Sequence, residues 1–300
     1  MQLIESGSLL REIIERNKKL KKLIVADLDG TLLKNNSELY EGDAIAVKRF
    51  LNEEVKLTIA TGRSFESALP FIKQLGIDLP VICELGAFIV DPVSNSQIVS
   101  YTIPPDILNE ILLFFKKSNF SYNIYLCSGN NYNCFKGHNS PIYLGKKVAI
   151  EMDDDLKNIF NFIFKDIDLY NDFRITNVRK ISIRTDPEEY SEVRSKLEES
   201  FGSEVMIRRS DINCVDISPF GITKGTGLKF LIDLLHIDPK NVMVIGDNET
   251  DATMFDVVEN SFAVDNADSQ TKEKAKFVVP LNGEGGVIYA IEQFLRKSNS

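Results

Sequence analysis

The chain has 300 residues, about two domains' worth, and its 43% hydrophobic and 26% charged residues suffice for an ordinary buried core. A net charge of −9 argues against a nucleic-acid partner, the one concentrated basic run being Lys18-Lys19-Leu20-Lys21-Lys22, and no stretch approaches the ~18 consecutive apolar residues of a membrane span. Cys83, Cys127, Cys134 and Cys214 form no C-x-x-C pair and have only His138 and His236 to join them, so a zinc site is not expected; nor, without a G-x-S-x-G elbow, is a serine hydrolase.

The N-terminal run carries charge throughout. It reads as an amphipathic helix over Leu9 to Leu23, neither signal peptide nor membrane span, in a cytoplasmic protein with reduced, mostly buried cysteines. The first strong strand is Leu23 to Asp27, a nearly continuous apolar run of the kind buried in parallel sheets. A helix over Glu41 to Glu54, a strand over Leu57 to Thr61, a helix capped by Ser64 and running to Leu75, and a strand over Val81 to Leu85 follow, with a short strand Phe88 to Val90 after Gly86. This alternation predicts a parallel α/β sheet.

From about Asp91 to Asp211 the pattern changes to short strands (Ile98 to Ile103, Ser121 to Cys127, Lys180 to Arg184, Glu204 to Arg209) with helices at Asp106 to Lys117 and Glu188 to Ser200. That mixture reads as an inserted α+β domain. The tract Asn130-Asn131-Tyr132-Asn133 reads as a turn. The α/β rhythm then resumes with a helix over Lys224 to Leu235, a strand over Asn241 to Gly246, a helix over Glu249 to Val258, strands at Ser261 to Val264 and Phe277 to Val279, and a final helix over Gly285 to Lys297.

Ligands of open α/β sheets bind at the carboxyl ends of the strands. Here those ends present Asp27, Thr61 and Asp247, with Asp29 two residues past Asp27 and Asp251 four past Asp247. One aspartate after a strand is most simply a helix cap; an acidic cluster of this density calls for a compensating cation, and all-oxygen ligation suits Mg2+.

Four motifs resemble those of the haloacid dehalogenase superfamily: Asp27-Leu28-Asp29-Gly30-Thr31-Leu32, Thr61-Gly62-Arg63, Lys224 within Gly221-Ile222-Thr223-Lys224-Gly225, and Gly246-Asp247-Asn248-Glu249-Thr250-Asp251. The resemblance runs from about Leu23 to the C-terminus and implies a Rossmann-like parallel-sheet core. It implies Asp27 as nucleophile, Asp29 as general acid and base, and Lys224 as the charge-stabilising cation. Phosphate oxygens would be held by the Leu28 and Gly62 amides, the Thr61 hydroxyl, Lys224 and Thr250. Asp27, Asp29 (through its carbonyl), Asp247 and Asp251 would surround Mg2+.

One helix and its loops fill the interval between Asp29 and Thr61, so the large gap between Gly86 and Lys224 holds the cap. That placement resembles the type II group, and the insertion's helix-strand mixture resembles its type IIB, Cof-like branch, in which a hinged cap closes over the site. The domains expected are an N-terminal helical extension over 1–22, a discontinuous core over 23–90 and 211–300, and a cap over 91–210. The branch commonly has Asn at the positions of Leu85 and Thr250; Thr250 keeps one hydroxyl donor and Leu85 none. In the cap, Lys180, Arg184, Arg208 and Arg209 could meet a second anionic group, and Tyr122, Tyr125, Tyr132 and Tyr143 could stack on a base or sugar, though solvated faces and packing are their commoner uses. The activity implied is Mg2+-dependent hydrolysis of a small phosphorylated metabolite (a sugar phosphate, nucleotide or cofactor phosphate) through an aspartyl phosphate, by a monomer or weak dimer. The alternatives are a phosphomutase on the same machinery or a non-catalytic phospho-ligand binder.

Overall fold

The computed structural model describes residues 2–3, 7–33, 38–39, 41–128, 131–136, 176–211 and 213–296. Residues 1–100 and 222–300 form one compact unit, and 101–221 form a second. Tyr143 and the segment 146–174 lie outside the described residues.

The first unit is built on a parallel sheet of five strands: β2 (Lys22–Ala26), β3 (Val55–Ile59), β12 (Val242–Gly246), β13 (Asn260–Val264) and β14 (Phe277–Val279), in the order β14-β13-β12-β2-β3. Leu23, Ile24, Val25 and Ala26 are all fully buried, as are Val242, Met243, Val244 and Ile245 beside them. Unbroken apolar runs are what a sheet covered on both faces requires, and each large side chain so buried contributes about 1.5–3 kcal/mol. The helices of this unit are α1 (Gly7–Arg16), α2 (Glu41–Phe50), α3 (Phe65–Leu75), α6 (Lys224–Leu235), α7 (Ala252–Phe255), α8 (Ser269–Lys274) and α9 (Gly286–Arg296). Ser64 caps α3 by accepting from the Ser67 N–H, and Thr223 caps α6 through a reciprocal box with Thr226.

A second, antiparallel sheet joins β1 (Gln2–Leu3), β6 (Ser96–Ser100), β5 (Phe88–Asp91) and β4 (Val81–Cys83), in that order. An Ala60–Ile82 bridge links β3 to β4 in parallel. The β5–β6 hairpin therefore belongs with the core, and the division falls after Ser100, beyond the start of the cap at 91 expected from sequence. The predicted long N-terminal helix ends at Arg16; Asn17 to Leu20 turn instead, and residues before it add β1 to the edge of β6.

In the second unit, strands β7 (Tyr122–Ser128), β8 (Asn131–Lys136), β9 (Val178–Thr185), β10 (Val205–Asp211) and β11 (Cys214–Pro219) pair antiparallel in the order β10-β11-β9-β7-β8. Asn131 to Asn133 are thus strand, not turn. One face carries Ile124, Leu126, Ile181, Ile183, Val215 and Ile217 into a core with α4 (Pro105–Lys117) and α5 (Tyr190–Phe201). The helices complete it with Ile107, Ile111 and Phe115 and with Val193, Leu197 and Phe201, spaced at helical period. Tyr122 packs edge-on to Phe115, with ring centres 4.9 Å apart, so its use is structural. Lys180 lies 3.4 Å from Asp216, Arg184 donates to Asn213 at 3.1 Å, and the Arg209 guanidinium sits 5.9 Å from the Tyr190 ring. These cations all have partners within their own unit.

Candidate active site

Sheet register brings the site together. Ile245, Ala26 and Ile59 lie level on neighbouring parallel strands, so the chain leaves β12, β2 and β3 side by side with Asp247, Asp27 and Thr61. Asp27 is 2% exposed, and Thr61 and Asp251 are fully buried. After Asp27 the chain folds on itself: the Leu28 carbonyl accepts from the Thr31, Leu32 and Leu33 N–H groups. Gly30 permits this with φ +78°, and a Cβ there would lie 2.2 Å from an Asp247 carboxylate oxygen. The absent side chain is what lets Asp247 approach the Asp27 loop.

Lys224, the first residue of α6, is 2% exposed and reaches into the cluster. Its Nζ donates to Asp27 Oδ1 at 2.6 Å and to Asp251 Oδ1 at 2.7 Å. The other Asp251 oxygen accepts from the Asp247 and Asn248 N–H groups at 3.0 and 3.2 Å. This carboxylate thus organises its own loop. The predicted helix over Glu249 to Val258 is observed only over Ala252–Phe255.

Asp29 faces elsewhere. Its carboxylate accepts two bonds from the Arg63 guanidinium, one of them from Nε at 2.7 Å, and its side chain is 53% exposed. Sequence reasoning placed Arg63 in a motif without giving it a task; its place directly after Thr61-Gly62 was the available signal. The Thr61 hydroxyl accepts from the Arg63 N–H at 3.1 Å. Thr250, expected on a phosphate oxygen, donates its hydroxyl to Asn248 at 2.7 Å, and Asn248 in turn donates to Asp247 at 3.0 Å. Its link to the cluster therefore runs through Asn248, a residue the sequence reading did not single out.

Three carboxylates face one ammonium here, and the electrostatics follow. Burial, then the Asp251 charge, push the Asp27 carboxyl up to about 8 against the opposing pull of Lys224. Loss of surrounding water, with the Asp251 and Asp27 charges, raises Asp247 well above the usual carboxylate range. For Lys224, burial would lower the ammonium, but Asp251 and Asp27 outweigh it and hold it above its ordinary value. Ligand oxygens of Asp27, Asp247 and Asp251 lie within 4.8 Å of one another, and Asp27 Oδ2 is buried with no partner among the described residues. Hard oxygen donors converging on an unsatisfied carboxylate fit a divalent cation of the Mg2+ type. Among the described residues Cys83, Cys127 and Cys214 are buried, and burial pushes the Cys214 thiol up to about 12.

Residues 24–291 match the family model of the haloacid dehalogenase-like hydrolases. The chain belongs to that family. Among curated relatives, the 5-amino-6-(5-phospho-D-ribitylamino)uracil phosphatase YwtE of Bacillus subtilis is 26% identical over 287 residues, covering 91% of this chain and 98% of its own. The solved structure of TM0651 from Thermotoga maritima is 25% identical with a TM-score of 0.70, covering 91% of this chain and 97% of that one. The subclass IIB sugar phosphatase BT4131 shares the fold at 20% identity and a TM-score of 0.72, covering 91% and 99%. The expected family, the α/β fold class and a hydrolase of the phosphatase type agree with these likenesses. The N-terminal extension lies outside the matched residues. Among the described residues no helix is long and apolar enough to cross a membrane.

Proposed function

We propose that this haloacid dehalogenase-like hydrolase cleaves the phosphate monoester of a small sugar- or nucleotide-like metabolite, with Asp27 as nucleophile and Mg2+ as cofactor. The observation that carries the proposal is Asp27 itself: a buried carboxylate at a strand end, with Oδ1 fixed by Lys224 and Oδ2 unpartnered, facing Asp247 and Asp251. In the first step an Asp27 oxygen bonds to phosphorus, the ester P–O bond breaks, and the departing oxygen takes a proton from Asp29. In the second, Asp29 removes a proton from water as that water attacks the aspartyl phosphate, releasing inorganic phosphate and restoring Asp27. Lys224 holds the nucleophile in place and counters the charge of the phosphoryl oxygens. The side chains of Asp27 and Asp247, with the Asp29 carbonyl and Asp251 near them, would hold Mg2+. When bound, the ion neutralises the carboxylate cluster and the substrate's negative charge. The Leu28 and Gly62 amides and the Thr61 hydroxyl are the proposed phosphate donors, and Thr250 supports Asp247 through Asn248.

The substrate class rests on likeness: the ribitylaminouracil phosphatase and the sugar phosphatase named above both act on phosphorylated polyhydroxy compounds. The deciding experiment measures phosphate release from a panel of sugar, nucleotide and cofactor phosphates, with Mg2+ and with chelator. Release should require the metal and vanish in Asp27→Asn. Turnover that survives Asp27→Asn sinks the nucleophile assignment, and phosphate shifted between substrate positions without release would indicate a mutase.

A further inference from the structure

We propose that the Glu84–Gly86 turn is a splint that sets the peptide planes of the Thr61-Gly62-Arg63 loop, with Leu85 as its positioning residue. The proposal deepens the reading of that loop as phosphate-binding and rests on it. Leu85 has φ 61° and ψ 25°, and Glu84 before it has φ 50°. Both are in the left-handed region, which is unfavourable for residues bearing a Cβ. Leu85 is also 3% exposed, and its side chain has no polar atom with which to stabilise the turn. A conformation of this kind persists only where its surroundings impose it.

Two neighbours impose it. The Leu85 N–H donates to the Thr61 carbonyl at 3.2 Å, and the Glu84 N–H donates to the Arg63 carbonyl at 3.0 Å. On the other side, Gly86 has φ +98°, and a Cβ there would lie 2.1 Å from the Thr223 carbonyl oxygen. Thr223 is the residue immediately before Lys224. Gly227, one turn into α6, is also closely packed: its Cβ would meet Ile82 Cγ2 at 2.8 Å and the Gly86 Cα at 3.4 Å. One short turn thus touches both the loop after β3 and the helix start that carries Lys224.

Peptide planarity supplies the consequence. In a trans peptide the C=O and the following N–H point in opposite directions. Holding the Thr61 carbonyl toward Leu85 directs the Gly62 N–H away from the turn, and holding the Arg63 carbonyl toward Glu84 does the same for the Ser64 N–H. The Thr61 N–H is itself fixed to the Ile82 carbonyl at 2.8 Å. The Thr61–Gly62 peptide cannot rotate without breaking the Leu85 bond. The strained turn therefore presets an amide donor for an anionic oxygen and keeps it in register with Lys224.

The test replaces the Leu85 amide by an ester, which deletes that N–H and keeps the side chain. A control ester at Ile77, whose N–H donates to the Ile72 carbonyl at 3.0 Å, deletes a comparable bond beyond the end of α3. Each chain is titrated with inorganic phosphate in the presence of Mg2+. The Leu85 ester should bind phosphate about tenfold more weakly, and the Ile77 ester with unchanged affinity. In the unmodified chain, saturating phosphate should slow hydrogen exchange at the Leu85 amide, because coupling between the two sites is reciprocal; this readout does not depend on the ester folding. Unchanged affinity in the Leu85 ester, an equal loss in the control, or Leu85 exchange indifferent to phosphate overturns the splint. An unmodified chain that binds phosphate but hydrolyses no ester overturns the phosphatase reading alone, and one that binds no phosphate overturns both.

Discussion

Arg63 binds the Asp29 carboxylate through two guanidinium nitrogens, and its guanidinium also lies 5.3 Å from the Phe71 ring. A fork held at both ends fixes its partner's orientation better than a single contact. Arg63→Ala should therefore slow hydrolysis of alkyl phosphates, whose leaving oxygen needs a proton, by about tenfold or more. Aryl phosphates with acidic leaving groups should slow far less; equal losses for both would place Arg63 outside proton transfer. A second prediction concerns Asp27 in the metal-free protein. Its carboxyl is raised from 3.8 to about 8 by burial and Asp251, so between those values the folded chain binds a proton that the unfolded chain has lost. Stability must fall as pH rises through that window, and a substitution at Asp27 that cannot ionise removes its share of the dependence, Asp247 keeping its own. In chelator, the melting temperature should decline from about pH 5 to pH 8, and Asp27→Asn should lessen that slope.

At the scale of elements, α1 and β1 matter because they lie outside the family match yet are built into the core. Leu9 and Ile13 are buried, α1 packs on α6, and β1 pairs with β6 through Gln2 with Ser100 and Leu3 with Val99. Arg16 pairs with Asp91, whose side chain is fully buried, and also donates to the Asp78 carbonyl. Asn17 accepts from Lys56 at 2.8 Å. Ile13→Ala should cost about 2–5 kcal/mol through lost burial and the cavity left behind. Arg16→Ala leaves a buried carboxylate without its cation and should cost about 1–3 kcal/mol. Urea unfolding measures both; a loss below 0.5 kcal/mol, the ordinary range for surface substitutions, in either variant would mean the extension is only appended.

On the scale of the molecule, two separately cored units predict separable responses. Mg2+, proposed to bind the unit carrying Asp27, should slow amide exchange in β2 and β12 by mass action. Phe115 is fully buried in the other unit, and Phe115→Ala should destabilise that unit by about 3–5 kcal/mol. Its faster exchange should be confined to residues within 101–221. Exchange that rises equally in β2 and β12 would show that the units unfold as one.

Much of the core was legible in the sequence, because its signals are local. An apolar run such as Leu23 to Ala26 belongs to a strand buried on both faces, Ser64 carries the chemistry of a cap, and the helix from Lys224 to Leu235 and the strand from Phe277 to Val279 were read at their observed bounds. The carboxylates at strand ends were legible for the same reason. Where local signals competed with distant partners, the reading slipped. The strand β11 lay hidden between Cys214 and Pro219, since its identity depends on β9 and β10 pairing to either side. The loop after Asp247 is organised by the Asp251 carboxylate, which accepts from the Asp247 and Asn248 N–H groups, and its helix covers only Ala252–Phe255. The partners of Asp29 and Thr250, the left-handed backbone at Leu85, and the junction after Ser100 rather than Asp91 are likewise decided by contacts across many residues of chain. Sequence by itself determined which strands carry the acidic residues; tertiary structure decided which donors each carboxylate meets, because hydrogen-bond partners are chosen by proximity in space.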